Sequence, residues 1–134
     1  MQTSAPNANW VSVASSADGN RLAVINYIPP DPLLAPGSPI YVSTNSGATW
    51  APPASVIGAN DWGLVACSAD GYQLLITTGY GPFCLSTNGG LDWLLTGPFS
   101  TWNLYPSCVG LSASADGNKL AAVFDGFGVR KGVS

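Results

Sequence analysis

An all-β fold of repeated four-stranded meanders is predicted for this 134-residue chain by three observations. The tetrapeptide SADG occurs three times, at Ser16–Gly19, Ser68–Gly71 and Ser114–Gly117, with spacings of 52 and 46 residues. The pattern S-T-N-x-G-x-x-W occurs twice, as STNSGATW (Ser43–Trp50) and STNGGLDW (Ser86–Trp93), 43 residues apart. Helix formers are scarce: there is no Glu, Lys and Arg number four together, and Gly and Pro contribute 16 and 11 residues. Two motifs that alternate in fixed order at a period in the forties mark a repeat architecture. Short, hairpin-linked strands at that period are those of β-propeller blades.

The elements follow in order. In the first unit, VSVASS and RLAVINY flank the first SADG turn, and PIYVST and TWAPPA flank the first S-T-N turn. The second unit repeats this with GLVACS, QLLITTG, PFCLST and DWLLTG. Asp-Gly between apolar runs favours a tight hairpin, because both residues tolerate positive φ. The third unit supplies CVGLSAS and KLAAVFD. Strands are therefore expected near 11–16, 21–27, 39–44, 49–54, 63–68, 73–79, 82–87, 92–97, 108–114 and 119–125. Aligning IYVS (40–43) with the terminal KGVS (131–134) places Ser134 at the first position of a third S-T-N turn. The chain is thus expected to form one domain over 1–134. Blade one spans about 11–54, blade two about 63–97, and an incomplete blade three about 108–134.

The S-T-N-x-G-x-x-W segments resemble the Asp-box, or BNR repeat, of sialidase-like propellers, whose consensus is Ser-x-Asp-x-Gly-x-x-Trp. Gly47, Gly90, Trp50 and Trp93 match it, whereas Asn45 and Asn88 stand where the family usually has Asp. The SADG turns look like the S-x-D-G turns of bacterial propeller repeats. The resemblance covers nearly the whole chain and speaks for fold more than for function, since Asp-boxes occur in sialidases, other glycosidases, photosystem assembly factors and sorting receptors. A structural role accounts for the box. Asn bonds the amides of its own turn, Gly supplies positive φ, and the Trp is expected to bury over the hairpin. Asp18, Asp70 and Asp116 are read in the same way, as turn formers.

Composition narrows the function. Charged residues make up only 8% of the chain, and the net charge is −3 with no basic cluster. Nucleic acid and anionic membranes are therefore not expected as partners, because both need Lys and Arg to neutralise phosphate. No apolar run reaches the ~18 residues of a membrane span, and the start, MQTSAPNANW, carries no basic-then-apolar leader pattern. Without His, and with Cys67, Cys84 and Cys108 scattered in apolar segments, no metal or other cofactor is expected. Three cysteines leave at least one unpaired. Inert buried thiols are the main reading, with a single bridge or a reactive thiol as alternatives.

Sialidase chemistry, as the resemblance implies it, needs three arginines, a Tyr–Glu nucleophile pair and an Asp acid/base. This chain has only Arg21 and Arg130, and no Glu. Arg21 aligns with Gln73 and Lys119 of the other units, which reads as a solvated strand start. A two-carboxylate glycosidase needs a pair of carboxyls roughly 5–9.5 Å apart, and no motif joins two of the Asp residues outside the SADG turns. The chain is expected not to be an enzyme. The leading reading is a non-catalytic binding or assembly module. The alternatives are a lectin, or a glycosidase completed by a partner chain. Strand order sets the SADG and S-T-N turns on one face of the disc and the remaining loops on the other. That second face collects Asp31, Asp61, Tyr80, Phe99, Trp102 and Tyr105, which would suit carbohydrate or another neutral ligand. Trp10 and Trp62 are expected in the core between blades. Closed propellers have about four to eight blades, so fewer than three leave apolar faces open. Self-association is predicted, with a homodimer of about six blades favoured; the alternatives are a higher oligomer and a piece of a longer propeller.

Overall fold

The computed structural model describes residues 5, 7–27, 40–52, 62–78, 83–96, 108–124 and 130–133, which form ten strands in three antiparallel sheets. Sheet one is β1 (Trp10–Ser15), β2 (Leu22–Asn26) and β3 (Ile40–Ser43). Sheet two is β4 (Trp62–Cys67), β5 (Leu74–Thr78), β6 (Phe83–Ser86) and β7 (Leu94–Thr96). Sheet three is β8 (Cys108–Ala113), β9 (Leu120–Phe124) and β10 (Arg130–Val133). Each sheet is a meander in chain order, as hairpins between short Val/Ile/Leu-rich runs dictate. β10 pairs with β9 where the alignment of KGVS with IYVS put a third strand.

Two local differences have physical causes. Of the fourth strand expected over 49–54, the described residues 49–52 form one bridge, in which Val42 and Ala51 exchange backbone hydrogen bonds of 2.9 and 3.0 Å. Pro52 follows at once, and a proline has no N–H to continue a ladder. The SADG turns are also not two-residue hairpins closed by Asp and Gly at positive φ. Ser16 donates its backbone N–H to Arg21 across the first turn at 2.9 Å, and the aspartates keep negative φ. Only the glycine takes φ near +72°. The first strand of every sheet shifts register at the same place, between Trp10 and Ser12, Trp62 and Leu64, and Cys108 and Gly110. A bulge there raises local twist, which helps successive sheets stack face to face.

The main core lies between sheets one and two. Ala23, Ile25 and Ile40 of sheet one meet Val65, Leu74, Ile76 and Cys84 of sheet two, flanked by Ala14, Val42, Cys67 and Trp93. Period-two alternation explains the membership: Val65 pairs with Ile76, Ile76 with Cys84, and Cys67 with Leu74, so all five point to one face. The other face of sheet two carries Ala66, Leu75, Thr77 and Phe83, also buried, and sheet three covers it through β8. Sheet two is therefore apolar on both faces. Each of its large side chains contributes roughly 1.5–3 kcal/mol on burial.

The turn face and its relatives

The turn-bearing edge of the sheets is built from serine hydroxyls. In the first SADG turn, buried Ser16 Oγ donates to Asp18 Oδ1 at 2.6 Å and accepts the Arg21 N–H at 3.0 Å. Asp18 in turn accepts the backbone N–H of Asn20 at 2.9 Å. Ser68 and Asp70, and Ser114 and Asp116, repeat this arrangement. The hydroxyl bond holds each aspartate below the usual carboxylate range, and the backbone amide two residues on adds to it. These are turn-forming carboxylates.

The S-T-N segments follow a second plan. Buried Ser43 Oγ accepts the N–H of Gly47 at 2.9 Å and donates to Asn45 Oδ1 at 3.0 Å, and Asn45 Oδ1 also accepts the N–H of Thr49 at 2.9 Å. The Trp50 indole then donates to the Gly47 carbonyl at 3.0 Å. Ser86, Asn88, Gly90, Asp92 and Trp93 repeat every one of these bonds, and Asn88 donates to Asp92 at 2.9 Å as Asn45 does to Thr49 Oγ1 at 2.8 Å. Gly90, at φ +90°, lies so close to sheet one that a Cβ would stand 3.1 Å from Val42 Cγ1. Trp50 and Trp93 are half-buried, not enclosed as the sequence suggested. Their indole N–H bonds to the turn hold them at the rim.

Both motifs share one edge of the blade. Ser46 donates its N–H to the Asn20 carbonyl at 2.9 Å in sheet one, and Gly89 does the same to Tyr72 at 2.8 Å in sheet two. The turns also join neighbouring sheets. Ala17 N–H donates to the Ala69 carbonyl, and Ala69 N–H to the Ala115 carbonyl, both at 2.8 Å. Above this ladder the Arg21 guanidinium stacks 3.9 Å over the Tyr72 ring and donates to its hydroxyl at 2.8 Å. Gln73 reaches the Asp116 carbonyl at 3.1 Å. Arg21 thus stands at a solvated strand start and also bridges two sheets. The signal lay in the repeat itself: positions 21, 73 and 119 all carry long polar chains.

Among the described residues, the junction of sheets one and two holds only a small crevice. It is lined by Ala14, Arg21, Val42, Cys67 and Leu74 and holds about 10 Å³, room for no more than one water. All three cysteines are free thiols; burial pushes Cys84 up to about 11 and also raises Cys67. Among the described residues, no three His, Cys, Asp or Glu side chains group to hold a metal ion. Trp10 leaves the core expected for it: it is 37% exposed and meets Tyr41 edge-on at 5.8 Å, because no described strand packs on that face of sheet one. The side chain of Trp62 lies outside the described part. Asp31, Asp61, Tyr80, Phe99, Trp102 and Tyr105 all fall outside the described residues, as do the loops that carry them.

YCF48 from Cyanidioschyzon merolae superposes with a TM-score of 0.65 at 17% identity, over 92% of this chain and 34% of that one. The fold is that of propeller blades. A structure of YCF48 bound to D1 peptide matches at a TM-score of 0.60 and 16% identity, over 92% of this chain and 36% of that one. KlAtg21, in complex with the coiled coil of AgAtg16, matches at 0.63 and 20% identity, over 85% and 36% of the two chains. The GH74 enzyme of Niastella koreensis matches at 0.55 and 25% identity, over 84% of this chain and 14% of that one. The chain thus spans about a third of the length of YCF48 and KlAtg21. No family model matches it, and no curated protein is similar to it.

Proposed function

We propose that this chain is a non-catalytic propeller module of the Asp-box type that binds or assembles with another macromolecule, as a homo-oligomer with a dimer of about six blades favoured. One observation carries the non-catalytic reading. Asp18, Asp70 and Asp116 are each engaged by their own serine and turn amide, and Asp92 by Asn88, so every described carboxylate of the turn face serves its own turn. The bonds of the S-T-N segments support the Asp-box assignment, with Asn45 and Asn88 accepting as an aspartate would. Similarity to YCF48 bound to a peptide and to KlAtg21 bound to a coiled coil favours a protein partner. The partner would use the opposite face, where the sequence places Asp31, Asp61, Tyr80, Phe99, Trp102 and Tyr105.

The 25% identity to a GH74 enzyme favours a second reading, a carbohydrate-directed propeller. A glycan array probed with the intact chain separates the two, since a protein-binding module leaves it blank. Hydrolysis of an aryl glycoside that disappears in Asp31→Ala or Asp61→Ala would replace the non-catalytic reading with an enzymatic one.

A further inference from the structure

The outer faces of sheets one and three repeat, position by position, the faces that meet inside the molecule. Counting from the SADG turns and the S-T-N turns, Val13, Leu22, Val24 and Tyr41 of sheet one correspond to Val65, Leu74, Ile76 and Cys84 of sheet two. The second set is 6%, 3%, 0% and 1% exposed, buried against sheet one. In the first set Val13 is 66% exposed and the others half-exposed. On the opposite side, Ser112, Ala121 and Val123 of sheet three correspond to Ala14, Ala23 and Ile25 of sheet one. Ala23 and Ile25 are enclosed, whereas Ala121 is exposed and Val123 is 42% exposed. One open face is therefore a large-residue face of the kind sheet two presents backwards. The other is a small-residue face of the kind sheet one presents forwards.

The polar features are unfinished in the same sense. In the turn ladder each N–H donates forward to the next turn, which leaves the Ala115 N–H and the Ala17 carbonyl as its two unpaired ends among the described residues. Arg21 and Gln73 each bridge forward to the next turn, at Tyr72 and Asp116. Lys119 holds the third equivalent position, with no such turn ahead of it in the described chain. The turn that would complete its series is the one at Asp18–Asn20, which offers a carboxylate to the ammonium. We infer that the two faces bind each other head to tail between two copies of this chain. Blade three of one copy seats on blade one of the other, Ala115 N–H donates to Ala17, and Lys119 lies over Asp18. The inference rests on the homo-oligomer reading and adds its polarity and its residues. Two seams of this kind close a pair of copies into a ring with two-fold symmetry. Pairing like faces would set carbonyl ends of the ladder against each other, or amide ends, and satisfy neither.

Light scattering at micromolar concentration tests this on the parent, Val13→Asp, Val123→Asp and an equimolar mixture of the two variants. Both substitutions fall on exposed positions, and circular dichroism checks that each variant stays folded. Ser15→Arg and Ala121→Arg, also exposed on the two faces, serve as a second pair where an aspartate unfolds the chain. Head-to-tail association predicts a parent of twice the chain mass and each variant at the chain mass. The mixture recovers a species of twice the chain mass through its one intact seam. If one variant remained dimeric alone while the other became monomeric, the polarity would be overturned and self-association kept. A folded parent at the chain mass would overturn both.

Discussion

Two serine-centred turns account for most of the polar order in this chain, and each is a small, self-contained network. In the second S-T-N segment, Asn88 accepts from Ser86 and from the Asp92 N–H and donates to the Asp92 carboxylate. Asn88→Ala removes all three bonds and strands the hydroxyl of a buried serine. The loss should be about 1–3 kcal/mol in urea unfolding, with Thr87→Ala, on an exposed neighbour, near zero. The SADG aspartates predict a pH response. The serine hydroxyl bonds hold their folded pKa values below the ordinary aspartate range, so the unfolded chain binds protons first as pH falls. Their stabilisation is complete above the ordinary carboxylate range and is lost as pH drops through it toward the folded values. All three are solvent-exposed, so the effect is modest. The melting temperature should be level from pH 7 to 5 and decline below about pH 4. Replacing Asp18, Asp70 and Asp116 together by Asn should flatten that decline.

At the scale of strands, register decides which residues matter. Val13 and Val65 occupy the same position in β1 and β4, yet one is 66% exposed and the other 6%. Val65→Ala removes two methyl groups from the core between sheets one and two and should cost about 2–3 kcal/mol. Val13→Ala should change stability by less than about 0.5 kcal/mol in the Val123→Asp background, where the proposed seam is broken. Equal losses at the two positions would mean that the outer face of sheet one is covered within a single copy. Strand length has an equally local origin: Ala51 makes one bridge and Pro52 ends it, whereas Leu94–Thr96 continue as a paired strand.

At the scale of the whole molecule, three sheets stack so that, among the described residues, only the middle one is covered on both faces. Trp10 and Val13 of sheet one and Val123 of sheet three consequently remain exposed, apolar surface at both ends of the stack of the sort that marks an interaction site. If a second copy covers it, unfolding is linked to dissociation and the melting temperature depends on concentration. Raising the protein from 1 to 100 μM should lift it by about several degrees in scanning calorimetry, and Val123→Asp should abolish the shift. A parent whose melting is independent of concentration would argue that the ends are stable uncovered.

The strand order and the turn positions were legible in the amino-acid sequence, because alternation and turn residues are local signals; the serine hydroxyl networks inside the turns were not. Alternation sets the strands, Asp-Gly and Asn-x-Gly set the turns, and a repeat shows the same chemistry two or three times. The Arg21–Tyr72 stack was not legible, since it joins residues 51 positions apart. Nor was the exposure of Trp10. A repeat carries similar residues at equivalent positions whether or not a neighbour covers them, so sequence alone does not distinguish the buried Val65 from the exposed Val13. Only the stacking of sheets decides that, because burial is a property of what lies opposite a side chain and not of the side chain itself.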